Sequence, residues 1–272
     1  MFFSPIKTEP IPERVLSISQ IVFDKAPIDE KELDGILIPA ELNTAKTSYF
    51  RPVFDTAAEL GLIGYDEDNK VIFTGNKNDI KSLKEFRMFC NSKVFSDPST
   101  DFYKMISCFL KSNDEWLKYG SVTTSNEIIR KINNETNIPS QKLEKDVILG
   151  TRFWINFLGF GYFQENAKTF LPNMYTALKD FMTLGSLEKG REYSIEEFIN
   201  NLHNGSAVAL KNARETLTFN LAMSNALRLL HDNKEVELKI NLDSEKKWNL
   251  FPNEEHEFTS EITHIVIKKA VK

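Results

Sequence analysis

Leu60-Gly61-Leu62-Ile63-Gly64-Tyr65-Asp66-Glu67-Asp68-Asn69-Lys70-Val71-Ile72-Phe73-Thr74 returns, altered, as Leu158-Gly159-Phe160-Gly161-Tyr162-Phe163-Gln164-Glu165-Asn166-Ala167-Lys168-Thr169-Phe170-Leu171-Pro172. Each copy closes an apolar helix pattern, turns at Leu-Gly, enters a short strand and reverses at a polar tip before a second strand. A helix trailed by a two-stranded flap is the outline of a winged helix. The fold class read from it is mainly α with small β-hairpins (α+β), built as tandem winged helix-turn-helix modules joined by a helical connector. The repeat speaks to architecture more than to function, because one module serves DNA and protein partners alike.

Working outward, the first winged unit takes residues 1–77. Pro12 suits a helix start, and Val15, Leu16, Ile18, Ile21, Val22 and Phe23 make a core-facing stripe. Asp29 is placed to cap a second helix carrying Leu33, Ile36 and Leu37, closed by Pro39. A third helix is expected from near Thr44 to Leu60, with Pro52 forcing a kink or a fresh start. Asp68-Asn69 supplies the hairpin turn.

Residues 78–118 read as the helical connector, with Phe102, Met105, Ile106, Phe109 and Leu110 at helical spacing and Trp116 as an anchor. The second winged unit, 119–173, has Thr124 or Ser125 as a cap, a turn at Ile138-Pro139-Ser140, and a long helix through Leu143, Val147, Trp154 and Phe157. The third, winged-helix-like unit spans 174–272. It shows a helix start at Ser194-Ile195-Glu196-Glu197 and a long helix over 209–230, possible to break near Thr216-Leu217-Thr218. Alternating Val236, Leu238, Ile240 and Leu242 predict a strand, with Lys247 to Phe251 as its partner and Ile262 to Ile267 as a further strand.

Bulk properties bound the function. A net charge of −5 offers no global attraction to nucleic acid, so contact must come from a local patch. Two cysteines, Cys90 and Cys108, argue against a disulfide scaffold or a four-ligand zinc site and read as small core residues. The start lacks the basic and apolar pattern of a signal peptide, and no apolar run approaches the roughly 18 residues that span a bilayer. A cytoplasmic protein without membrane contact is expected.

The candidate contact surface of a winged helix is its third helix, with the wing beside it. In the first unit that helix offers Asn43, Lys46, Thr47, Ser48 and Arg51. However, residues 1–80 hold 14 acidic side chains against 8 basic, and Asp66, Glu67 and Asp68 in the wing repel phosphate. Protein contact suits this unit better. The second unit offers Arg130, Lys131, Gln141, Lys142, Lys145, Arg152 and Lys168 for phosphates, with Gln141 able to reach a base edge. A solvated face is the plainer alternative, because Glu144 and Asp146 interleave. The third unit offers Lys211, Asn212, Arg214 and Arg228 on its long helix, with Lys246 and Lys247 in the hairpin. Here too Glu235, Glu237, Asp243 and Glu245 alternate with the cations.

Catalytic constellations are thin. His203, His231, His256 and His264 lack the spacing of a metal motif, and neither a Gly-rich phosphate loop nor a Ser/His/Asp arrangement is present. No catalytic residue, metal or cofactor is assigned, and the chain reads as non-enzymatic.

Ile11-Pro12-Glu13-Arg14-Val15-Leu16-Ser17-Ile18, Ile38-Pro39-Ala40-Glu41-Leu42 and Ala58-Glu59-Leu60-Gly61-Leu62-Ile63 together resemble the start of the DpdG family. The similarity lies mainly in the first 75 or so residues, and its motifs are short. The resemblance implies an accessory protein from bacterial gene clusters that insert 7-deazaguanine derivatives into DNA and restrict unmodified DNA. It implies a non-catalytic component working beside an ATPase, helicase or nuclease in phage defence, and it carries over no catalytic residues. The leading expectation is a winged-helix subunit of such a DNA-directed complex, touching duplex DNA, partner proteins or both. The alternatives are a pure protein–protein adaptor and a transcriptional regulator acting as a homodimer.

Overall fold

The computed structural model describes residues 1–3, 5–38, 49–112, 115, 125–139, 145–164 and 169–269. Pro12 opens α1 (Pro12–Lys25), where a missing N–H costs nothing, and Val15, Ile18 and Val22 are fully buried along one stripe. Ile28 then forms a single antiparallel bridge to Val71. After α2 (Glu30–Leu37) comes α3 (Phe50–Glu59), followed by β1 (Ile63–Tyr65) and β2 (Val71–Phe73), paired Ile63 to Phe73. The described helix starts at Phe50 rather than near Thr44; residues 39–48 lie outside the described residues. Pro52 therefore falls in the first turn of α3, where no intrahelical donor is required, and forces no kink. Asn69 turns the hairpin at φ 59°, and the Asp66 carboxylate accepts from the amides of Asp68 (3.0 Å) and Lys70 (2.8 Å).

A short 3-10 turn leads into α4 (Leu83–Lys93), capped by Ser82, and α5 (Asp101–Lys111), capped by Thr100. Phe102, Met105, Ile106, Phe109 and Leu110 are all buried, as their spacing predicts. Next come α6 (Ser125–Thr136), α7 (Lys145–Leu158), β3 (Gly161–Gln164) and β4 (Thr169–Pro172), with Tyr162 opposite Leu171. Trp116 lies outside the described residues. Both Leu-Gly turns use glycine for the same reason. Gly61 and Gly159 have φ of +73° and +83°, and at Gly159 a Cβ would lie 2.6 Å from Thr176.

The remainder is α8 (Tyr175–Leu184), β5 (Glu192–Ser194), α9 (Ile195–Asn201), two single turns α10 (Ala207–Leu210) and α11 (Ala213–Thr216), and α12 (Leu221–Asp232). Strands β6 (Val236–Lys239), β7 (Trp248–Asn249), β8 (Glu261–Ile262) and β9 (His264–Ile267) follow. Ser194 and Glu197 cap α9 reciprocally, as the sequence predicts. The helix over 209–230 breaks at Thr216-Leu217-Thr218, as the sequence allows, where Leu217 takes a left-handed conformation, and a further gap at residues 211–212 leaves three pieces. The predicted pairing of 236–242 with 247–251 does not form. β6 pairs with β9, giving an antiparallel sheet in the order β5-β9-β6, while β7 pairs with β8 inside the long β6–β9 connection. Alternation fixes which faces of a strand are apolar and not which strand lies beside it. Ile240 and Leu242 therefore end up exposed, Leu242 by 85%.

Residues 12–73 and 175–267 share one connectivity: helix, short strand or bridge, two helices or more, strand, connecting loop, returning strand. In both, the returning strand lies between the other two: Ile28 beside β2 beside β1, and β5 beside β9 beside β6. Residues 125–172 carry two described helices and the β3–β4 hairpin. Buried side chains from Met1 to Ile267 make one continuous apolar cluster. Asp180 on α8, only 3% exposed, pins the joint between elements: Arg87 on α4 donates to it from Nε (2.8 Å) and Nη2 (3.0 Å). The Asn91 amide donates to Asp180 and to the Leu158 carbonyl at the end of α7. A buried carboxylate is tolerable when it is paired in this bidentate way.

Candidate nucleic-acid and partner interface

The helix α12, which carries the candidate contact Arg228, is covered by the chain itself. Residues 251–259, in the connection between β6 and β9, are bonded to it. Arg228, 3% exposed, donates through Nε to the Phe258 carbonyl (3.0 Å) and through Nη2 to those of Phe251 and Thr259 (2.8 Å each). Its Nη1 has no partner, and burial lowers its pKa. The buried Ser224 hydroxyl accepts from the Phe251 amide at 2.8 Å. Arg228, a candidate phosphate contact by sequence, is thus spent inside the fold, and Ser224 with it. A basic residue at helical spacing in an apolar-rich helix gives no sign of what will cover it.

Two histidines complete the cover. The His231 Nδ1 accepts from the Leu238 amide (3.1 Å), so its proton sits on Nε2, 2.6 Å from Glu257. His256 repeats the arrangement: Nδ1 accepts from the Phe258 amide (3.0 Å) and Nε2 faces Asp232 (3.0 Å). Each ring joins the covering segment to α12 or to the strand after it. His264 contacts Asn241 and Thr263. The His203 Nδ1 accepts from the Gly205 amide (3.1 Å), and its ring stacks on Phe181; burial lowers its pKa. Among the described residues no group of three or more His, Cys, Asp or Glu side chains is arranged to hold a metal.

The helix α7 is partly covered as well. The N-terminal arm crosses it so closely that the Lys7 carbonyl sits where a Gly150 Cβ would be. The Trp154 indole donates to the Pro10 carbonyl at 2.7 Å. Phe2 lies edge-on to Trp154 (4.6 Å between centroids) and Phe102 (4.9 Å), and the Met1 ammonium meets Glu59 at 2.5 Å. Phe2 is therefore buried, whereas Phe3 is 46% exposed.

The other candidates scatter. Arg130 is exposed on α6, whereas Lys131 is held between Glu115 and Glu135. Burial would lower the Lys131 ammonium, but the two carboxylates outweigh it and hold the pKa above its ordinary value. Arg152 lies half-buried over the Phe153 ring. Lys145 opens α7, and Gln141, Lys142 and Lys168 lie outside the described residues. Arg51 in the first unit bridges Glu30 and Asp55. Lys246 and Lys247 are exposed but paired with Glu196 (2.6 Å) and Glu261 (3.2 Å). Arg214 donates to the Asn200 side chain at 2.6 Å. Lys211 and Asn212 stand exposed on the rim of a cleft against the end of α5, where Ser107 and Lys111 face them. That partnership spans a hundred positions, and nothing local in the sequence marks it. Both cysteines are buried; burial raises their thiol pKa values, that of Cys108 to about 12, so neither supplies thiolate readily.

Comparison with known families decides the kinship. A family model described as DpdG-like matches residues 6–244. The chain belongs to that family. The match runs well past the opening motifs that carry the resemblance in sequence. Comparison with curated proteins and with solved structures gives no significant match. No helix among the described residues is long and apolar enough to cross a membrane.

Proposed function

We propose that this chain is a non-enzymatic, winged-helix-built subunit of a bacterial 7-deazaguanine DNA-modification and restriction complex. It works in the cytoplasm by docking partner proteins. Any phosphate contact is made by exposed lysines away from the third helices. The modules are residues 1–77, 119–173 and 174–272, with 78–118 as connector. The shared β5-β9-β6 and Ile28-β2-β1 orders support winged-helix units at both ends.

The observation that carries the docking reading is the sealed face of α12. A helix that reads bases must present side chains to the major groove, and here Ser224 and Arg228 are bonded to residues 251–259. Family membership supports the DNA-directed setting, and the acidic first unit suits a protein partner better than a phosphate backbone. An ATPase, helicase or nuclease encoded beside it is the expected partner class.

Two measurements test this. Co-expression with the proteins encoded next to it should give a stable complex on size-exclusion chromatography; no complex with any of them removes the docking reading. Selection on random duplexes should enrich no motif. A short palindromic site bound by a homodimer would replace the proposal with a transcriptional regulator.

A further inference from the structure

Between the last turn of α5 and the broken segment leading to α12 lies a cleft of about 220 Å³. Its floor is apolar, from buried Leu110, Val208 and Phe219. Its rim is polar: Ser107 and Lys111 on one side, Lys211, Asn212, Thr216 and Thr218 on the other. Among the described residues no carboxylate lines it. In a chain of net charge −5 whose other wing-side lysines, Lys239, Lys246, Lys247 and Lys268, each face a glutamate, that is a local reversal.

The donors at the rim are uncommitted. Among the described residues Lys111 and Lys211 have no ion-pair partner, and the Asn212 amide and Ser107 hydroxyl have no hydrogen bond. Thr216 and Thr218 donate to the carbonyls of Asn212 (2.9 Å) and Thr216 (3.1 Å), which fixes their oxygens at the rim. The shape of that rim comes from Leu217, held at φ 51°, a conformation a leucine adopts at a cost. Asn249 keeps it there: its amide donates to the Leu217 carbonyl (2.7 Å), and its own carbonyl accepts from the Phe219 amide (2.8 Å).

We infer that this cleft binds a phosphate ester, with Lys111 and Lys211 closing on the phosphoryl oxygens and Asn212 and Ser107 donating to them. The volume accommodates one phosphoryl group with part of its sugar, and two lysines lining one cleft with no carboxylate among its described lining residues select an anion. The phosphoryl group can belong to a nucleic-acid backbone or to a free nucleotide, and both offer the same oxygens. Only the choice between those sources rests on the DNA-directed reading; the site itself does not.

The test uses the full chain and three probes at low salt: a labelled 12-base-pair duplex, AMP and inorganic phosphate. K111A/K211A removes both ammonium groups from exposed positions, so folding is left intact. K246A/K247A makes the same charge change at paired lysines and serves as control. The expected result is that K111A/K211A weakens binding about tenfold or more and lowers the log–log salt slope on duplex by about 2, one per lysine, while the control changes little. AMP that binds alone and displaces duplex assigns a nucleotide; duplex binding untouched by AMP assigns the backbone. Equal loss in both variants, or no binding of any probe by the unmodified chain, overturns the site. Because assembly with neighbouring proteins is measured separately, an inert cleft in an assembling protein refutes this inference and leaves the docking reading standing.

Discussion

Gly150 sits in the middle of α7, where alanine would ordinarily help: relieving a helix of an interior glycine is worth about 1 kcal/mol. In this protein the substitution should do the opposite. A Cβ there would lie 2.4 Å from the Lys7 carbonyl oxygen, 3.0 Å from its carbon and 3.2 Å from the Thr8 Cα, all of them backbone atoms that no rotamer change can move. Overpacking of that kind costs about 1–3 kcal/mol if the arm stays in place. If the arm lifts instead, Phe2 gives up about 2 kcal/mol of burial. The Trp154 indole then also loses the Pro10 carbonyl, about 1–3 kcal/mol for a buried donor left unmatched. Against the propensity gain, G150A should be less stable by roughly 0–2 kcal/mol if the arm stays and about 2–4 kcal/mol if it lifts, and in the second case hydrogen exchange at the Phe2 and Phe3 amides should accelerate. Urea denaturation followed by tryptophan fluorescence measures the first, and exchange mass spectrometry the second. The sign should reverse in a chain lacking residues 2–8, where the obstruction is gone and alanine should stabilise by about 1 kcal/mol. A full-length G150A protein that is more stable, with the arm still protected, would refute the account of how α7 is covered.

Two further outcomes follow from charged groups inside the fold. R228K keeps the charge but replaces a fork with a point donor that cannot reach the carbonyls of Phe251, Phe258 and Thr259 together; a loss of about 2 kcal/mol and faster exchange across 251–259 are expected. Burial alone would raise the Glu235 carboxyl, but hydrogen bonds from Lys179 (2.8 Å) and Tyr175 outweigh it and hold the folded pKa below the ordinary 4.5. Its stabilising effect is therefore present above the unfolded value and lost as pH falls through the folded one. E235Q should flatten the acid limb of Tm against pH below about 4.5, and an unchanged limb would assign that dependence to other carboxylates.

Local signals were legible wherever the physics was local. The Leu-Gly turns, the Pro12 start, the Ser194–Glu197 box and the buried stripe of α5 all depend on residues within a turn or two of one another. Of the two alternatives Pro52 allows, the fresh start is the one that holds, because the residue falls in the first turn of α3. What escaped was the choice between equivalent apolar partners. β6 had two alternating neighbours to choose from and took the one that also completes β5. The candidate surface suffered more, since charge in a sequence reveals nothing about what folds over it. Arg228 and Lys131 look as available as Lys211 until residues 251–259 and the two glutamates are in place. The likeness to a family, carried by three short motifs, proved to extend over most of the chain.

The burial of α5 has a practical corollary. Phe102, Tyr103, Met105, Ile106, Cys108, Phe109 and Leu110 leave this helix wet on little of its circumference, and it lies against α6, β4 and α10 at once. A fragment cut on either side of it would carry a greasy rod into water or leave a trough where the rod belonged, and either product should clump. Whoever wishes to split, tag or fuse this protein should work at the exposed tips, Glu67 to Asn69 or Glu245 to Lys247, where the backbone is already in solvent.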